Sequence, residues 1–419
     1  MTDRIATKGL DAARRLLFGA AMVCWLCGSG CVLAQGITFS VGPDESLTYP
    51  SNLTDLADEH TTIFRPGQIS NKYVFFASSG VKGATGGAVV LETSNLKDFF
   101  FADGYATQVM TPAIAFSTCK DDTYDPEFDL NYAAPGSVVQ DPTLPPGNFI
   151  MIYEAENHCP GAHWQHDFYA TVGLARSSDY GKTWPAPVDS ELGGDDRYPV
   201  LKNPVSEPTM PENPQVAIGN ALPSAIVGQS VGADRGAEYY LYIVYNAPGP
   251  TNDGMLRIAR ARLGVPGRLQ FAKWYNEDFS EPGIQGVDSA VLPSRGCTGR
   301  QDMGQISYSD ILRLYVMVFV CVDVQAGVAY QAGWWYSTAT DLDLEDWTPP
   351  QPIENSERPI VNGCANDGTG QSFDGWYPSL MSPGVLSGRI SITGRIFFMS
   401  GCDRGQRQFV SRRFKIAPP

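Results

Sequence analysis

Only four histidines occur in 419 residues, and no amphipathic pattern runs for three helical turns, so a helical or α/β architecture has little support. The G-x-S-x-G spacing occurs once, at Gly228-Gln229-Ser230-Val231-Gly232, but no helical pattern follows it to make an elbow, and there is no P-loop, so serine-esterase and nucleotide-binding classes have little support. The cysteines after residue 34 never show C-x-x-C spacing, which argues against a zinc ribbon. Basic residues are scarce as well, 30 Lys and Arg against 45 Asp and Glu, and they form no stripe. A chain of net charge −15 with that pattern is not built for nucleic acid or anionic lipid. Beyond the first thirty residues nothing is apolar enough to span a bilayer, so no membrane insertion is expected.

The N-terminus carries an export signature. Arg4, Lys8, Arg14 and Arg15 precede an apolar run over residues 16–26, and small residues continue to Val32-Leu33-Ala34. This reads as a signal peptide over residues 1–34, cleaved before Gln35, and predicts a secreted or periplasmic protein. Three of the nine cysteines leave with it. The even remainder, Cys119, Cys159, Cys297, Cys321, Cys364 and Cys402, suggests disulfides in an oxidising compartment.

What the chain has in quantity is turn residues and aromatics: 43 Gly, 31 Pro and 11% Phe, Trp and Tyr. They are arranged in repeats. Tyr73-Val74-Phe75-Phe76, Phe149-Ile150-Met151-Ile152-Tyr153, Tyr240-Leu241-Tyr242-Ile243-Val244-Tyr245, Leu314-Tyr315-Val316-Met317-Val318-Phe319 and Arg395-Ile396-Phe397-Phe398-Met399 are short, β-branched and aromatic, with turn residues on either side. Each reads as a strand covered on both faces. Each follows a Pro-, Gly- or polar-containing segment: Phe64-Arg65-Pro66-Gly67, Ala134-Pro135-Gly136-Ser137, Leu222-Pro223-Ser224-Ala225, Arg300-Gln301-Asp302-Met303 and Trp376-Tyr377-Pro378-Ser379. Five copies of this rhythm predict an all-β chain, residues 35–419 forming a single five-bladed β-propeller whose inner strands are those segments. A strand at Ile37-Thr38-Phe39 joining Gln408-Phe409-Val410 would close the ring and hide two sheet edges. The repeat register also pairs the cysteines. Cys119–Cys159, Cys297–Cys321 and Cys364–Cys402 each join the start of an inner strand to the end of the next strand, on one face.

Ser177-Ser178-Asp179-Tyr180-Gly181-Lys182-Thr183-Trp184 fills every fixed position of the Asp-box, S-x-D-x-G-x-T-W, after a strand. Relaxed versions stand at Ser94-Asn95-Leu96-Lys97-Asp98-Phe99 and from Ser337 through Asp341 to Trp347. The chain therefore resembles sialidases and other Asp-box propellers, for which six blades is the runner-up architecture. The relaxed boxes and the five-blade count are more similar to five-bladed arabinanase, xylosidase and fructosidase-type hydrolases. In those families the box is a structural turn on the face away from the active site. The resemblance implies a glycoside hydrolase acting on a glycan without a cofactor, working as a monomer.

Glycoside hydrolysis needs one protonated and one ionised carboxyl group. The expected catalytic set is Asp302 and Asp374 on inner strands, with Glu154 reaching inward from the second strand of blade two. Arg65, in a setting similar to the sialidase F-R-I-P motif, joins Arg300, Glu156, His158, Trp376 and Tyr377 as expected substrate-binding groups. Where five-bladed furanosidases have Asp-Pro at the first inner strand, this chain has Arg65-Pro66. His158, His163 and His166 beside Asp167 match no helix-borne metal motif, and no catalytic metal is expected. The acidic run Asp121, Asp122, Asp125, Glu127 and Asp129 offers oxygen ligands for a structural Ca²⁺, without the EF-hand glycine. The competing readings are a non-catalytic propeller that binds carbohydrate or protein, and a true sialidase with three converging arginines.

Overall fold

The computed structural model describes residues 36–418, apart from 55, 66–70, 82–85, 114–126, 158–167, 188–191, 203–217, 232–236, 248–254, 293–296, 298, 326–327, 343–345, 357–371, 384–387 and 403–407. Residues Thr38–Ala417 form one compact unit of five sheets, antiparallel apart from two-residue parallel pairings at Ile218–Gly219 and Arg389–Ile390, a five-bladed β-propeller. The inner strands are Thr62–Phe64, Tyr132–Gln140, Ala221–Val231, Arg300–Ser309 and Ser372–Met381. The second strands are Tyr73–Val81, Phe149–Asn157, Ala237–Asn246, Leu314–Gln325 and Thr393–Cys402. All five apolar runs read from the sequence lie in these second strands.

Their continuous apolarity has a simple cause. Side chains alternate across a strand, and each face of a blade meets a different neighbour. In blade three, Leu241, Ile243 and Tyr245 pack with Ile150, Ile152 and Leu174 of blade two. The intervening Tyr242 and Val244 pack with Met317 and Phe319 of blade four. In blade one, Val74 and Phe76 face Met151 and Tyr153, while Phe75 and Ala77 face Phe397 and Phe409 of blade five.

The ring closes as expected, with the first strand as the outermost of the last blade. Thr38–Ser46 pairs antiparallel with Gln408–Ala417, from Thr38 opposite Ala417 to Ser46 opposite Val410. Cys297 and Cys321 are bonded, their Cα atoms 5.8 Å apart. Cys119, Cys159 and Cys364 lie outside the described residues, as does the side chain of Cys402.

A belt of hydrogen bonds runs round the axis, one from each blade to the next. The Val138 N–H donates to Thr62 Oγ1 at 3.1 Å, Ala225 N–H to Ser137 Oγ at 2.9 Å and Ile306 N–H to Ser224 Oγ at 3.2 Å. Leu380 N–H donates to Gln305 Oε1 at 2.6 Å, and Thr61 N–H closes the circuit on Ser379 Oγ at 3.0 Å. On one side of the belt the axis narrows to a cavity of about 10 Å³ lined by Ile63, Ala225, Ile306, Leu380 and Arg389 among others, room for one water.

The belt gives the true repeat register. Immediately before the belt residue, four inner strands slip by a bulge: at Pro135/Ser137, Ala221/Ser224, Asp302/Gln305 and Trp376/Ser379. The residue two before the belt takes a left-handed conformation at Leu222, Met303 and Tyr377, with φ of 55°, 57° and 55°, which costs about 1–2 kcal/mol each for a side chain with a Cβ. Gly136 sits where a Cβ would lie 2.0 Å from the Pro223 carbonyl oxygen, so glycine is required for the two bulges to nest. Counting back from Thr62, the blade-one counterpart of Ala134-Pro135-Gly136-Ser137 is Glu59-His60-Thr61-Thr62. The sequence repeat had placed it five residues later, at Phe64-Arg65-Pro66-Gly67.

Candidate active site

Three residues before the belt, the five blades present Glu59, Ala134, Ala221, Asp302 and Trp376. Glu154 lies opposite Ala134 in the blade-two ladder, and Glu156 lies opposite Tyr132. Small residues at Ala134 and Ala221 leave the space that Glu154 uses to cross blades. Its Oε2 accepts the Leu222 N–H of blade three at 2.5 Å, and its carboxyl group also hydrogen-bonds with Glu59 of blade one and Glu156 of its own strand. Three buried carboxyl groups thus form one chain, with no described cation among them.

The proton inventory follows from that burial. Desolvation pushes Glu59 well above the usual carboxylate range, and the nearby charges of Glu154, Asp58 and Glu156 add to it. Burial, then Glu156, raises Glu154 to about 8, although the Glu59 hydrogen bond and the Leu222 N–H pull the other way. Glu156 is raised by burial to about 8, opposed by its bond with Glu154. All three are raised, so the cluster holds protons at neutral pH and titrates as one coupled unit. Beside Glu59, burial lowers His60 to about 3, so it is a neutral ring. Neither ring nitrogen makes a hydrogen bond of normal geometry, the Pro378 carbonyl supplying only a weak opposing pull. The His60 ring lies edge-on to Tyr377, 6.0 Å between centroids.

Asp302 has a different environment. The Arg300 guanidinium donates to its Oδ2 at 2.8 Å and the Asn246 amide to its Oδ1 at 3.2 Å. Burial raises its pKa, and Arg300 opposes the rise. It is the buried acid in this group with a cation of its own. Arg300 itself is half-exposed, 53% for its side chain, and stands at the mouth. Trp376 is also partly exposed, while Tyr377 is buried beneath it.

Of the residues expected from sequence, Glu154, Glu156, Arg300, Asp302, Trp376 and Tyr377 therefore share the axial face where the inner strands begin. Arg65 does not join them. It follows the end of Thr62–Phe64, whose Phe64 packs on Phe149 at 4.8 Å, and Phe149 packs on Tyr180 of the Asp-box. That is the opposite end of the inner strand from Glu59. The Asp374 side chain and all of His158 lie outside the described residues, as do His163, His166, Asp167, Asp121, Asp122 and Asp125. Asp129, read with the acidic run, is instead buried against Arg197 (Nε to Oδ2 2.7 Å) and the Tyr153 hydroxyl (2.7 Å). Glu59 was missed because its segment lacks any strand pattern. The signal that could have found it is the count back from a polar belt residue.

No family model and no curated protein matches this sequence. Solved structures do match in fold. The catalytic domain of a Coprinopsis cinerea GH62 α-L-arabinofuranosidase is 13% identical with a TM-score of 0.45, covering 90% of this chain and 97% of that one. An N-acetylgalactosamine deacetylase from F. plautii, solved with blood group B trisaccharide, is 11% identical with a TM-score of 0.50 over 91% and 95%. A putative exo-β-1,3-galactanase from Bifidobacterium bifidum s17 is 12% identical, TM-score 0.45, over 91% and 94%. At these identities the likeness is one of fold.

Proposed function

We propose that this chain is an exported glycoside hydrolase whose site is the axial face holding Glu59, Glu154, Glu156 and Asp302. The observation that carries the reading is the division of its carboxyl groups into two kinds. The Glu59–Glu154–Glu156 chain retains protons at neutral pH, as a general acid must in order to assist a leaving sugar oxygen. Asp302, clamped by Arg300 and Asn246, is the group best able to stay ionised and to activate water or attack the sugar. Trp376 offers part of a ring at the same height for stacking on a sugar. The trisaccharide bound by the F. plautii neighbour supports carbohydrate as the ligand class. Export is supported by the leader pattern and by the Cys297–Cys321 bond. A sialidase has less support, since Arg65 stands at the other end of its strand and Arg300 is engaged by Asp302.

The test is a digest of a panel of neutral and acidic glycans, with Glu59→Gln, Glu154→Gln and Asp302→Asn alongside. Reducing-end release by the parent chain, falling 100-fold or more in at least two variants, is expected. Binding of a glycan without release of product would convert the reading to a non-catalytic lectin-like propeller.

A further inference from the structure

Glu154 is touched by a backbone amide whose position is not set by its own blade alone. The Leu222 N–H reaches the carboxylate because Leu222 is held left-handed inside the bulge of blade three. Belt bonds to both neighbouring blades hold the residues at the downstream end of that bulge. Downstream, the Ala225 N–H is held by Ser137 of blade two at 2.9 Å. The last bulge residue, Ser224, accepts from Ile306 of blade four at 3.2 Å. The neighbouring junction repeats the plan with a neutral side chain. Asn246, opposite Ala221 as Glu154 is opposite Ala134, accepts the Met303 N–H with its Oδ1 at 3.0 Å.

We propose that Ser137 and Ser224 are positioning residues for Glu154. Their two belt bonds hold blade three's strained bulge so that the Leu222 amide stays on the Glu154 carboxyl group, and through it they set where the proton of the carboxyl chain resides. A left-handed leucine relaxes once released, because the conformation costs energy that only its surroundings supply. With the amide gone, Glu154 loses the one donor among the described residues that is not itself an acid. The groups that still face it are Glu59 from blade one and Glu156 from its own strand, with Asp58 beside both. Of these, Glu156 raises its proton affinity and Glu59 lowers it. The belt is then part of the site's chemistry as well as the seam between blades.

The inference rests on the carboxyl chain being the functional site, yet no substrate enters its measurement. The experiment is a carboxyl-¹³C NMR titration of the glutamate-labelled protein, with the Glu154 signal assigned by its loss in Glu154→Gln. Ser137→Ala and Ser224→Ala should each move the Glu154 midpoint upward by about one pH unit, the worth of one charge-assisted hydrogen bond. Ser137→Thr keeps the hydroxyl and should restore the parent value. Asp179→Ala unties the Asp-box turn at the opposite end of the blades and should lower stability without moving Glu154. The proposal is overturned if the serine variants lose thermal stability with the Glu154 midpoint unmoved, or if Asp179→Ala moves it equally. A glycan panel without turnover leaves it standing, and an unmoved titration leaves the hydrolase reading standing.

Discussion

Glu154 occupies a place that the next blade fills with Asn246, and the comparison separates what the fold needs there from what it does not. Both side chains accept the amide of a left-handed residue in the following bulge, Leu222 or Met303. An amide satisfies that need without charge. A glutamate adds a titrating group in a dry position, next to two more, at a cost to stability. The folded state raises Glu154 to about 8, so folding takes up protons between the unfolded carboxylate range near pH 4.5 and about pH 8. Stability from this group is fully present below the lower limit and is lost as pH rises through the upper one. Glu154→Gln should accordingly melt higher than the parent at pH 9, by about 2 kcal/mol of stability, and match it near pH 4. Paired calorimetric scans at the two pH values check this, and an equal or lower melting temperature at pH 9 would refute it. Glu154 and Glu156 were legible in sequence because they sit at the mouth end of a strand whose apolar pattern is plain, and Asp302 because the repeat places it just ahead of the next such strand. Glu59 was not, because Asp58-Glu59-His60-Thr61 carries no alternation and is held in place by contacts from blades two and five.

At the scale of elements, the second strands and the Asp-box were readable and the inner strands only partly so. The box does what its residues suggest. Asp179 Oδ1 accepts from Ser177 Oγ and from the N–H groups of Lys182 and Thr183, and Oδ2 accepts from Thr183 Oγ1. Burial is the largest single influence and opposes ionisation, but together these donors hold the carboxyl below its ordinary range. Trp184 Nε1–H donates to the Gly181 carbonyl at 2.9 Å, and its ring meets Phe76 of blade one edge-on. The box is thus a staple between blades one and two on the face opposite the carboxyl chain. Asp179→Ala should cost about 1–2 kcal/mol in denaturant unfolding and leave the Glu154 titration unchanged. A shift at Glu154 would mean that the two faces are coupled. In the relaxed box of blade four, Asp346 Oδ2 accepts the Thr340 N–H at 2.9 Å. Inner strands resisted reading because their bulges, at Ala221/Ser224 and Asp302/Gln305 among others, break the two-residue period on which strand recognition depends.

At the scale of the molecule, a propeller is a ring of weakly individual blades, and its stability depends on how the ends are joined. Here the joint is chemical as well as topological. Thr38–Ser46 buries Phe39 and Val41 against the last blade and places Asp44 and Glu45 among three arginines. Arg412 Nε meets Asp44 Oδ1 at 2.7 Å, while Arg395 and Arg413 hold the two oxygens of Glu45 at 2.9 and 2.8 Å. Burying the two apolar side chains contributes about 4 kcal/mol; the partly exposed ion pairs add less and fade with salt. A chain beginning at Leu47 should therefore melt several degrees lower and expose the edge of Gln408–Ala417, whose unpaired backbone groups and apolar residues, Phe414 and Ile416, invite association. A synthetic peptide of residues 37–46 should refill that edge and restore the melting temperature in a saturable way, and the same peptide with Phe39→Asp should not. Equal rescue by both peptides, or no loss on truncation, would show that the ring is closed by blade-to-blade packing and the axial belt rather than by its first strand.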